Sequence, residues 1–433
     1  MNSLWTETCK LPAFPRLEHD LKTDVLIIGG GMAGILCAHF LAQAGINHTL
    51  VEADRICCGV SGGTTAKITA QHGLIFHKLL RSFGAERTHM YLQANLDAVE
   101  QFRQLCANTP CDFQTKGNYV YCPEPSSLLE QELSALEQLG YSARFVTDLP
   151  LPISTAGAVC FPDQGQFHPL KFAAGLLSGL NIYEHTPVRT FDGRRFCTDR
   201  GKITAEKVIV ATHFPIFNKH GAYFLKMYQH RSYVLALSNA PELNGMYVDN
   251  HPKGMSFRTH NGLLLLGGGD HRTGKQGGNW QELTSFVRTH YPHAQEKYRW
   301  AAQDCISLDS VPYIGQYAKG TPNVYVATGF NKWGMTASMV AAGLLRDLVL
   351  DRANPLTQVF SPSRSMLSPQ LGLNALESTL NLLTPTTPRC PHLGCALKWN
   401  AAEHSWDCPC HGSRFGQDGS LLTGPATGNL KRK

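Results

Sequence analysis

Residues 23–54, "TDVLIIGGGMAGILCAHFLAQAGINHTLVEAD", place the strongest constraint on the fold of this chain. The apolar run at 25–28 predicts a strand, and three consecutive glycines lead from it into a helical pattern that ends at Gly45. A second apolar run, 48–51, predicts another strand that closes on Glu52. The order of strand, helix and strand predicts a βαβ unit near the start of the chain.

Glycines in a G-x-G-x-x-G arrangement indicate what this unit binds. Gly29 permits a tight turn, Gly31 lets the backbone approach a pyrophosphate, and Gly34 lets helix and strand pack closely. Glu52 stands where an acid accepts the ribose hydroxyls of a dinucleotide. A purely structural glycine turn is the alternative, but the flanking strands and terminal acid favour a dinucleotide site.

Two later segments favour FAD over NAD as the dinucleotide. Residues 205–213, "AEKVIVATH", predict a buried strand, and residues 307–350 predict a strand at 324–327 followed by glycines and a long helix. Together with the first unit they resemble the glycine and D-amino acid oxidase-like family of FAD enzymes, over residues 22–352. The resemblance implies a nucleotide domain assembled from separated pieces of chain, and it is most specific at its two ends.

The resemblance also implies which residues lie beside the flavin. Asp309, Pro312 and Gly315 match the family's stretch before the last strand. The helix that follows would direct its positive N-terminal end at the reduced flavin, although apolar packing alone also explains such a helix. The cofactor-binding residues predicted in this way are Ser61, Thr64, Thr65, Val188, Gly329, Gly334, Met335 and Thr336.

Lys67 follows the hydroxyl-rich stretch and is expected to approach N5 of the flavin, or else to be an ordinary solvated lysine. A second glycine cluster, at 263–278, is not followed by an apolar-periodic helix, so it predicts a strand and turn instead of an NAD(P) site. With one dinucleotide fingerprint, the chain is expected to take electrons from an organic substrate.

The substrate domain is expected to comprise residues 84–150 and 217–300. Its helical patterns lie at 86–107 and 127–139, and a strand is predicted at 119–122. Arg258 is the predicted clamp for a substrate carboxylate, because a guanidinium binds a carboxylate bidentately. His271 is the predicted base. A structurally paired arginine or histidine is the alternative for each.

Composition excludes several other classes of protein. The net charge of +6 comes without a long basic run interleaved with aromatics, so nucleic-acid binding is not expected. No apolar run approaches the roughly 20 residues that span a bilayer, so no transmembrane segment is expected. The N-terminus lacks a secretory pattern, which predicts a cytoplasmic protein whose fourteen cysteines do not form a disulfide framework.

The tail carries a second chemistry. After a predicted linker at 353–388, residues 390–413 contain four cysteines and three histidines. Cys390 and His392 are spaced C-x-H, and Cys408 and His411 are spaced C-x-x-H. Two thiolates with two imidazoles suit either a tetrahedral zinc ion or a Rieske 2Fe-2S cluster.

The runs C-P-H-L-G-C and C-P-C-H-G-S resemble the Rieske proteins of cytochrome bc complexes. The resemblance implies a disulfide between Cys395 and Cys410, a proline-containing covering loop at 424–430, and histidine ligands near the surface as the electron exit. Ser413 is retained, but Phe415 replaces a tyrosine that donates to a ligand sulfur, which predicts a lower potential. Base strands before Cys390 are lacking, so the subdomain is expected to dock on the rest of the chain.

The expected fold is therefore a Rossmann-like, GR2-type α/β FAD-binding domain, an α+β substrate domain and a small all-β Rieske subdomain. The FAD-binding domain is assigned to 22–83, 151–216 and 301–352, and the Rieske subdomain to 389–433. The expected function is an FAD-dependent dehydrogenase of a small amine, amino acid or hydroxy acid, with an external electron acceptor that is a protein, a quinone or oxygen. The alternative is an oxidase that produces hydrogen peroxide and has a structural or interaction module at its tail.

Overall fold

The structure is a computed structural model that describes residues 3–217, 220–251, 253–365, 369–385 and 388–431. Its strands are β1 (Leu21–Ile28), β2 (His48–Val51), β3 (Lys67–Ile68), β4 (Gln114–Cys122), β5 (Arg144–Val146), β6 (Gly157–Gln166), β7 (Ile182–Tyr183), β8 (Thr190–Asp192), β9 (Arg195–Cys197), β10 (Lys202–Val210), β11 (Met227–Ser238), β12 (Gly245–Asp249), β13 (Ser256–His260), β14 (Leu263–Arg272), β15 (Gln295–Ser307), β16 (Tyr313–Gln316), β17 (Val324–Thr328), β18 (Lys398–Asn400), β19 (Ser405–Asp407), β20 (Arg414–Gly416) and β21 (Leu421–Thr423).

Its helices are α1 (Leu4–Thr8), α2 (Met32–Gln43), α3 (Val60–Gly63), α4 (Phe76–Ala107), α5 (Ser127–Gln138), α6 (Pro169–Leu176), α7 (Tyr223–Lys226), α8 (Asn279–His290), α9 (Gly334–Val349), α10 (Thr357–Phe360) and α11 (Pro369–Leu383). None of the helices in the described ranges combines the length and apolar character needed to cross a bilayer.

The first sheet has the order β16-β17-β10-β1-β2-β7 and is parallel from β17 to β7. Its central strands are apolar on both faces because both faces are covered: helices α2 and α9 pack on one, and residues such as Phe196, Phe214 and Tyr223 pack on the other. Helices α2 and α9 pack against each other beside it, and their buried faces form one core with residues such as Ile27 and Leu50. The carboxyl ends of β1, β2 and β10 meet at one edge, where a dinucleotide binds in sheets of this kind.

The second sheet has the order β15-β11-β14-β13-β12-β4-β6-β3 and is largely antiparallel. This sheet includes β3, β6 and β15. The sequence-based boundaries assign β3, β6 and most residues of β15 to the FAD-binding domain instead. The sequence analysis did not predict these three strands, whose partners lie far along the chain.

Several elements differ in extent from the sequence-based expectation. Helix α4 begins at Phe76, ten residues before the predicted start at 86, and the backbone breaks helical geometry at Gly84 with φ of 79°. The second glycine cluster forms strand β14, as predicted, but α8 follows it. Since β14 pairs antiparallel with β11 and β13, this strand and helix are not part of a second nucleotide unit.

The tail subdomain, residues 389–431 among those described, contains the small sheet β18-β19-β20-β21. Helix α11 in the preceding segment extends beyond the short helix predicted near 374–382. Asn374 in this helix is 1% exposed. Its side-chain amide accepts a hydrogen bond from Arg272 and donates one to the carbonyl of Leu225. The segment predicted to be a linker is therefore packed against the domains that it joins.

Candidate active site and cluster site

The glycine motif forms the cradle that its spacing predicts. Gly29 has φ of +112°, and a β-carbon there would lie 2.4 Å from the carbonyl oxygen of Ala211. At Gly34 a β-carbon would lie 1.9 Å from the carbonyl oxygen of Gly29, so only glycine lets α2 pack this closely on β1. Helix α2 therefore directs its first backbone N–H groups into the cavity at the end of the sheet.

Glu52 ends β2 with its carboxylate held in place. Oε2 accepts the backbone N–H of Gly30 at 2.7 Å and Oε1 accepts that of Asp54 at 3.0 Å. Burial raises the pKa of this carboxyl, although the backbone hydrogen bonds act to lower it. The glycine cradle and the N-terminus of α2 fit the pyrophosphate of FAD, and the oriented carboxylate of Glu52 fits its ribose.

A cavity of about 1540 Å³ extends from this cradle to the second sheet. It exceeds the roughly 300–1,000 Å³ of a typical small-molecule site, so it has room for a dinucleotide and a substrate. The predicted cofactor-binding residues that line it are Gly29, Gly31, Glu52, Ser61, Thr64, Thr65, Val188, Gly334 and Met335.

Three of the predicted residues lie behind the cavity wall instead. Gly34 packs on Gly29, and Gly329 packs near Met227 and Tyr313. The hydroxyl of Thr336 bonds to the carbonyl of Thr69 at 3.0 Å and to Nε2 of His72 at 2.9 Å. These three residues support the wall without forming its surface.

Lys67 lines the cavity, as expected for a residue that approaches the flavin. Burial lowers the pKa of its ammonium to about 7, with a smaller contribution from the positive charge of Arg258. Its Nζ lies 3.3 Å from the hydroxyl of Thr65. Lys67 is therefore not an ordinary solvated lysine, and its contact with the flavin stays a prediction.

Arg258 and His271 are placed away from the cavity surface. Arg258 is fully buried, donates to the carbonyl of Ala66 at 2.7 Å, and lies over the Trp5 ring. This placement does not support a substrate clamp, because a guanidinium directed at the backbone supports the segment that carries Lys67.

His271 is held by the hydroxyl of Tyr233 at Nε2 and the carbonyl of Arg272 at Nδ1. It is 5% exposed and lies behind Tyr233, which does not support the predicted role of a base facing the substrate. The alternative given above, a structurally paired residue, describes both Arg258 and His271. The presence of one arginine or histidine in a predicted strand does not show on which face of the sheet its side chain lies.

The cavity brings together four polar residues that the sequence analysis missed. His230 on β11 lies opposite Asp304 on β15 in the strand register. Asp270 on β14 forms an ion pair with Lys332, which lies between β17 and α9. All four line the cavity. These residues become neighbours only through the pairing of strands that are distant in the chain, and a single sequence does not reveal that pairing.

The predicted cluster ligands converge in the tail subdomain. Nδ1 of His392 lies 3.2 Å from Nδ1 of His411. Two imidazole nitrogens that each lie about 2.1 Å from one metal ion are separated by about this distance. Cys390 and Cys408 are buried nearby and share a thiol hydrogen bond. This donor set fits a 2Fe-2S cluster with two histidine and two cysteine ligands.

The predicted disulfide is not present in the structure, where Cys395 and Cys410 are free thiols. The sulfurs of Cys395, Cys408 and Cys410 all lie within 4.8 Å of one another. Hydrogen bonds from Cys408 and Cys410 lower the pKa of Cys395 to about 4. The thiols therefore interact by hydrogen bonds, and this placement corrects the expected covalent pair.

The tail subdomain is docked, as predicted, and the docking leaves His411 buried and His392 partly exposed. His411 is 1% exposed, and its ring centroid lies 6.2 Å from that of Phe214 and 6.0 Å from that of Phe224. Its carbonyl accepts a hydrogen bond of 2.6 Å from the amide of Gln229 on β11. The expectation that the histidines form a surface exit is therefore corrected for His411, which faces the FAD-binding side, whereas His392 is partly exposed.

Comparisons with known proteins agree with this arrangement. Residues 24–348 match the family model described as FAD dependent oxidoreductase, and residues 382–432 match the Rieske [2Fe-2S] domain. The chain is 33% identical to YhfW of Bacillus subtilis, named as a Rieske 2Fe-2S iron-sulfur protein, over 99% of this chain and 96% of that protein.

Two further comparisons concern the larger part of the chain. It is 23% identical to gamma-glutamylputrescine oxidoreductase of Escherichia coli, over 78% of this chain and 86% of that protein. The structure of L-proline dehydrogenase from P. horikoshii superposes with a TM-score of 0.67 and 17% identity, covering 80% of this chain and 98% of that one. This structural likeness supports the fold.

Proposed function

Because the chain belongs to the family of FAD-dependent oxidoreductases and ends in a Rieske [2Fe-2S] domain, we propose that it is a dehydrogenase of a small amine, amino acid or hydroxy acid that passes electrons to an external acceptor. Its cofactors are FAD and a 2Fe-2S cluster. FAD takes two electrons from an organic substrate, whereas the cluster carries one electron at a time. The chain thus joins a two-electron oxidation to one-electron steps.

The observation that carries this proposal is the position of Phe214. Strand β10 ends at Val210, and the next residues, Ala211 to His213, line the FAD cavity. Phe214 follows them and lies 6.4 Å from the ring of His392 and 6.2 Å from that of His411, measured between centroids. One short segment therefore contacts both the cofactor cavity and the two imidazoles.

The proposed substrate contains a C–N bond, and the proposed location is the cytoplasm. The names of the E. coli and P. horikoshii proteins refer to an amine and an amino acid, which supports a substrate with a C–N bond. None of the fourteen cysteines, all of which lie in the described ranges, forms a disulfide, which supports the reducing environment of the cytoplasm.

The proposal is tested by anaerobic reduction of the purified holoprotein with a panel of amines, amino acids and hydroxy acids. We expect one class of substrate to bleach the flavin absorbance and to produce the paramagnetic resonance signal of the reduced cluster. Turnover with ferricenium as a one-electron acceptor should then exceed turnover with oxygen.

A ligand variant provides the comparison. His392→Ala should retain flavin bleaching by substrate and lose most ferricenium turnover, whereas His404→Ala, which changes an exposed histidine of the same subdomain, should retain both. If peroxide formation accounts for all turnover in both variants and in the unmodified protein, the chain is an oxidase and the proposed electron route is rejected.

A further inference from the structure

The face of the second sheet that lines the cavity carries charge that cofactor binding does not use. His230 on β11 and Asp304 on β15 are cross-strand neighbours, and Asp270 lies at the adjoining end of β14. Lys332 reaches this group from the segment just before α9. The group thus lies between the second sheet and the segment that the family places beside the flavin.

The formal charge of this group is negative. Asp270 and Asp304 each contribute one carboxylate, and Lys332, which pairs with Oδ2 of Asp270, contributes one ammonium. His230 is neutral, because burial lowers the pKa of its imidazole to about 3. Arg272 is directed toward the carbonyl of Pro409 and does not line the cavity. Arg231, the other cation whose charge acts on Asp304, is paired with Glu403. Asp304 is therefore left without an ion-pair partner of its own.

The carboxylate oxygens are also incompletely hydrogen-bonded. Asp270 is 8% exposed, and its Oδ1 is buried without a partner in the described part of the chain. Nδ1 of His230 and the hydroxyl of Ser232, on the same strand, are likewise buried without one. Asp304 interacts with Lys332 and Arg231 only through their charge, with no hydrogen bond from any described residue. Buried acceptors of this kind cost free energy unless a ligand satisfies them.

We propose that Asp304 and Asp270 bind the ammonium group of the substrate, with His230 and Ser232 completing its polar surroundings. The assignment deepens the proposed function and rests on it: within the classes named there, it selects a primary or secondary alkylamine cation. A carboxylate substrate would meet two like charges and a neutral imidazole in this part of the cavity, where the ammonium of Lys332 is already paired with Asp270. An ammonium group supplies the N–H donors that the unpartnered oxygens lack.

Binding can be measured apart from oxidation by using an amine that cannot be oxidised. In tert-butylamine the carbon next to nitrogen carries no hydrogen, and pivalate is an anion of similar shape. Both are titrated into the oxidised holoprotein while the flavin absorbance is followed. We expect tert-butylamine to bind and to shift the flavin bands, and pivalate to bind at least about tenfold more weakly.

Variants assign the effect to the carboxylates. Asp304→Asn and Asp270→Asn conserve side-chain shape and should each weaken tert-butylamine binding by about tenfold or more, since a charged acceptor is replaced by a neutral one. Glu296→Gln, at the exposed end of the same strand β15, should bind as the unmodified protein does. FAD content and the resonance signal of the reduced cluster confirm that each variant is folded.

The assignment is overturned if pivalate binds as tightly as the amine, if both aspartate variants bind the amine normally, or if the unmodified protein binds no amine. Its fate is separable from that of the proposed function. A protein that binds tert-butylamine through these residues, but never reduces its cluster with a substrate, would retain the ammonium site and lose the electron route.

Discussion

Arg231 of the second sheet donates from Nε to Oε1 of Glu403 in the tail subdomain at 3.0 Å, and its Nη2 bonds to Oε2 of the same carboxylate. Arg414 Nη2 lies 2.9 Å from Oε2, and the hydroxyl of Tyr233 donates to Oε1 at 3.0 Å. The side chains of Arg231 and Glu403 are 6% and 10% exposed. The carboxylate of Glu403 therefore links the tail subdomain to the second sheet through hydrogen bonds that are largely shielded from solvent.

Removal of this carboxylate should loosen the docked subdomain. Removing one partner of a buried pair typically costs about 3–5 kcal/mol, and here it leaves Arg231 without its carboxylate, whereas Arg414 retains Asp407. We expect Glu403→Ala to accelerate proteolytic cleavage in the segment 353–388. Glu296→Ala, which breaks a more exposed pair with Arg299, should change cleavage little. Equal cleavage of the two variants would contradict this role of Glu403.

The potential of the cluster should respond to Ser413. Its hydroxyl hydrogen-bonds to the thiol of Cys390 and accepts the backbone N–H of Ala426 at 3.0 Å. A donor to a ligand sulfur favours the reduced cluster, so Ser413→Ala should lower the midpoint potential by about 50 mV, equivalent to one ordinary hydrogen bond. A resonance-monitored redox titration measures the shift, and an unchanged midpoint would show that the hydroxyl does not tune the cluster.

Phe415 provides the opposite test. Its ring is fully buried in the apolar cluster that contains Cys390 and Cys408. Phe415→Tyr adds a hydroxyl donor and should raise the midpoint potential by an amount similar to the loss at Ser413. Phe415→Leu adds no donor and serves as the comparison. If tyrosine and leucine give the same midpoint, the absent hydroxyl is not what lowers the potential.

Glu52 should contribute strongly to FAD affinity. Its carboxylate is oriented by two backbone N–H groups and would accept the ribose hydroxyls as a charged acceptor. We expect Glu52→Gln to weaken FAD binding by about tenfold or more, measured by the fluorescence of FAD released on serial dilution. Glu18→Gln, at an exposed glutamate paired with Arg200, should release FAD as the unmodified protein does. Identical release from both variants would remove Glu52 from the cofactor site.

Amine binding should depend on pH through Asp304. Burial raises the pKa of this carboxyl to about 6, with Lys332 acting to lower it and Asp270 acting to raise it. The carboxylate is charged above that pH, so the affinity for tert-butylamine should rise from pH 5 to pH 7 and then level off. In Asp304→Asn this rise should disappear. A profile that survives the substitution would assign the titration to another group.

The sequence is most informative where the chemistry depends on short spacings. Gly29, Gly31 and Gly34 belong to one turn and the helix that follows it, and each pair of predicted cluster ligands belongs to one short loop, whereas the assignment to a cluster came from the resemblance to Rieske proteins. Arg258 and His271 do not line the cavity, and their predicted roles stay predictions. Strand register decides whether a side chain faces a cavity or the protein interior, and register depends on distant packing. The pairing of His230 with Asp304 is a consequence of the same long-range register.

Strand β11 serves two sites from alternate positions along its length. Gln229, Arg231 and Tyr233 form hydrogen bonds with the tail subdomain. All residues from His230 to Tyr233 border the cavity, but only His230 and Ser232 have side chains free of the tail subdomain and belong to the ammonium site. A systematic substitution scan along this strand should therefore give phenotypes that alternate with residue parity, odd positions affecting attachment of the iron-sulfur unit and even positions affecting substrate selection. Insertion or deletion of a single residue would exchange the two sets and disable both activities at once.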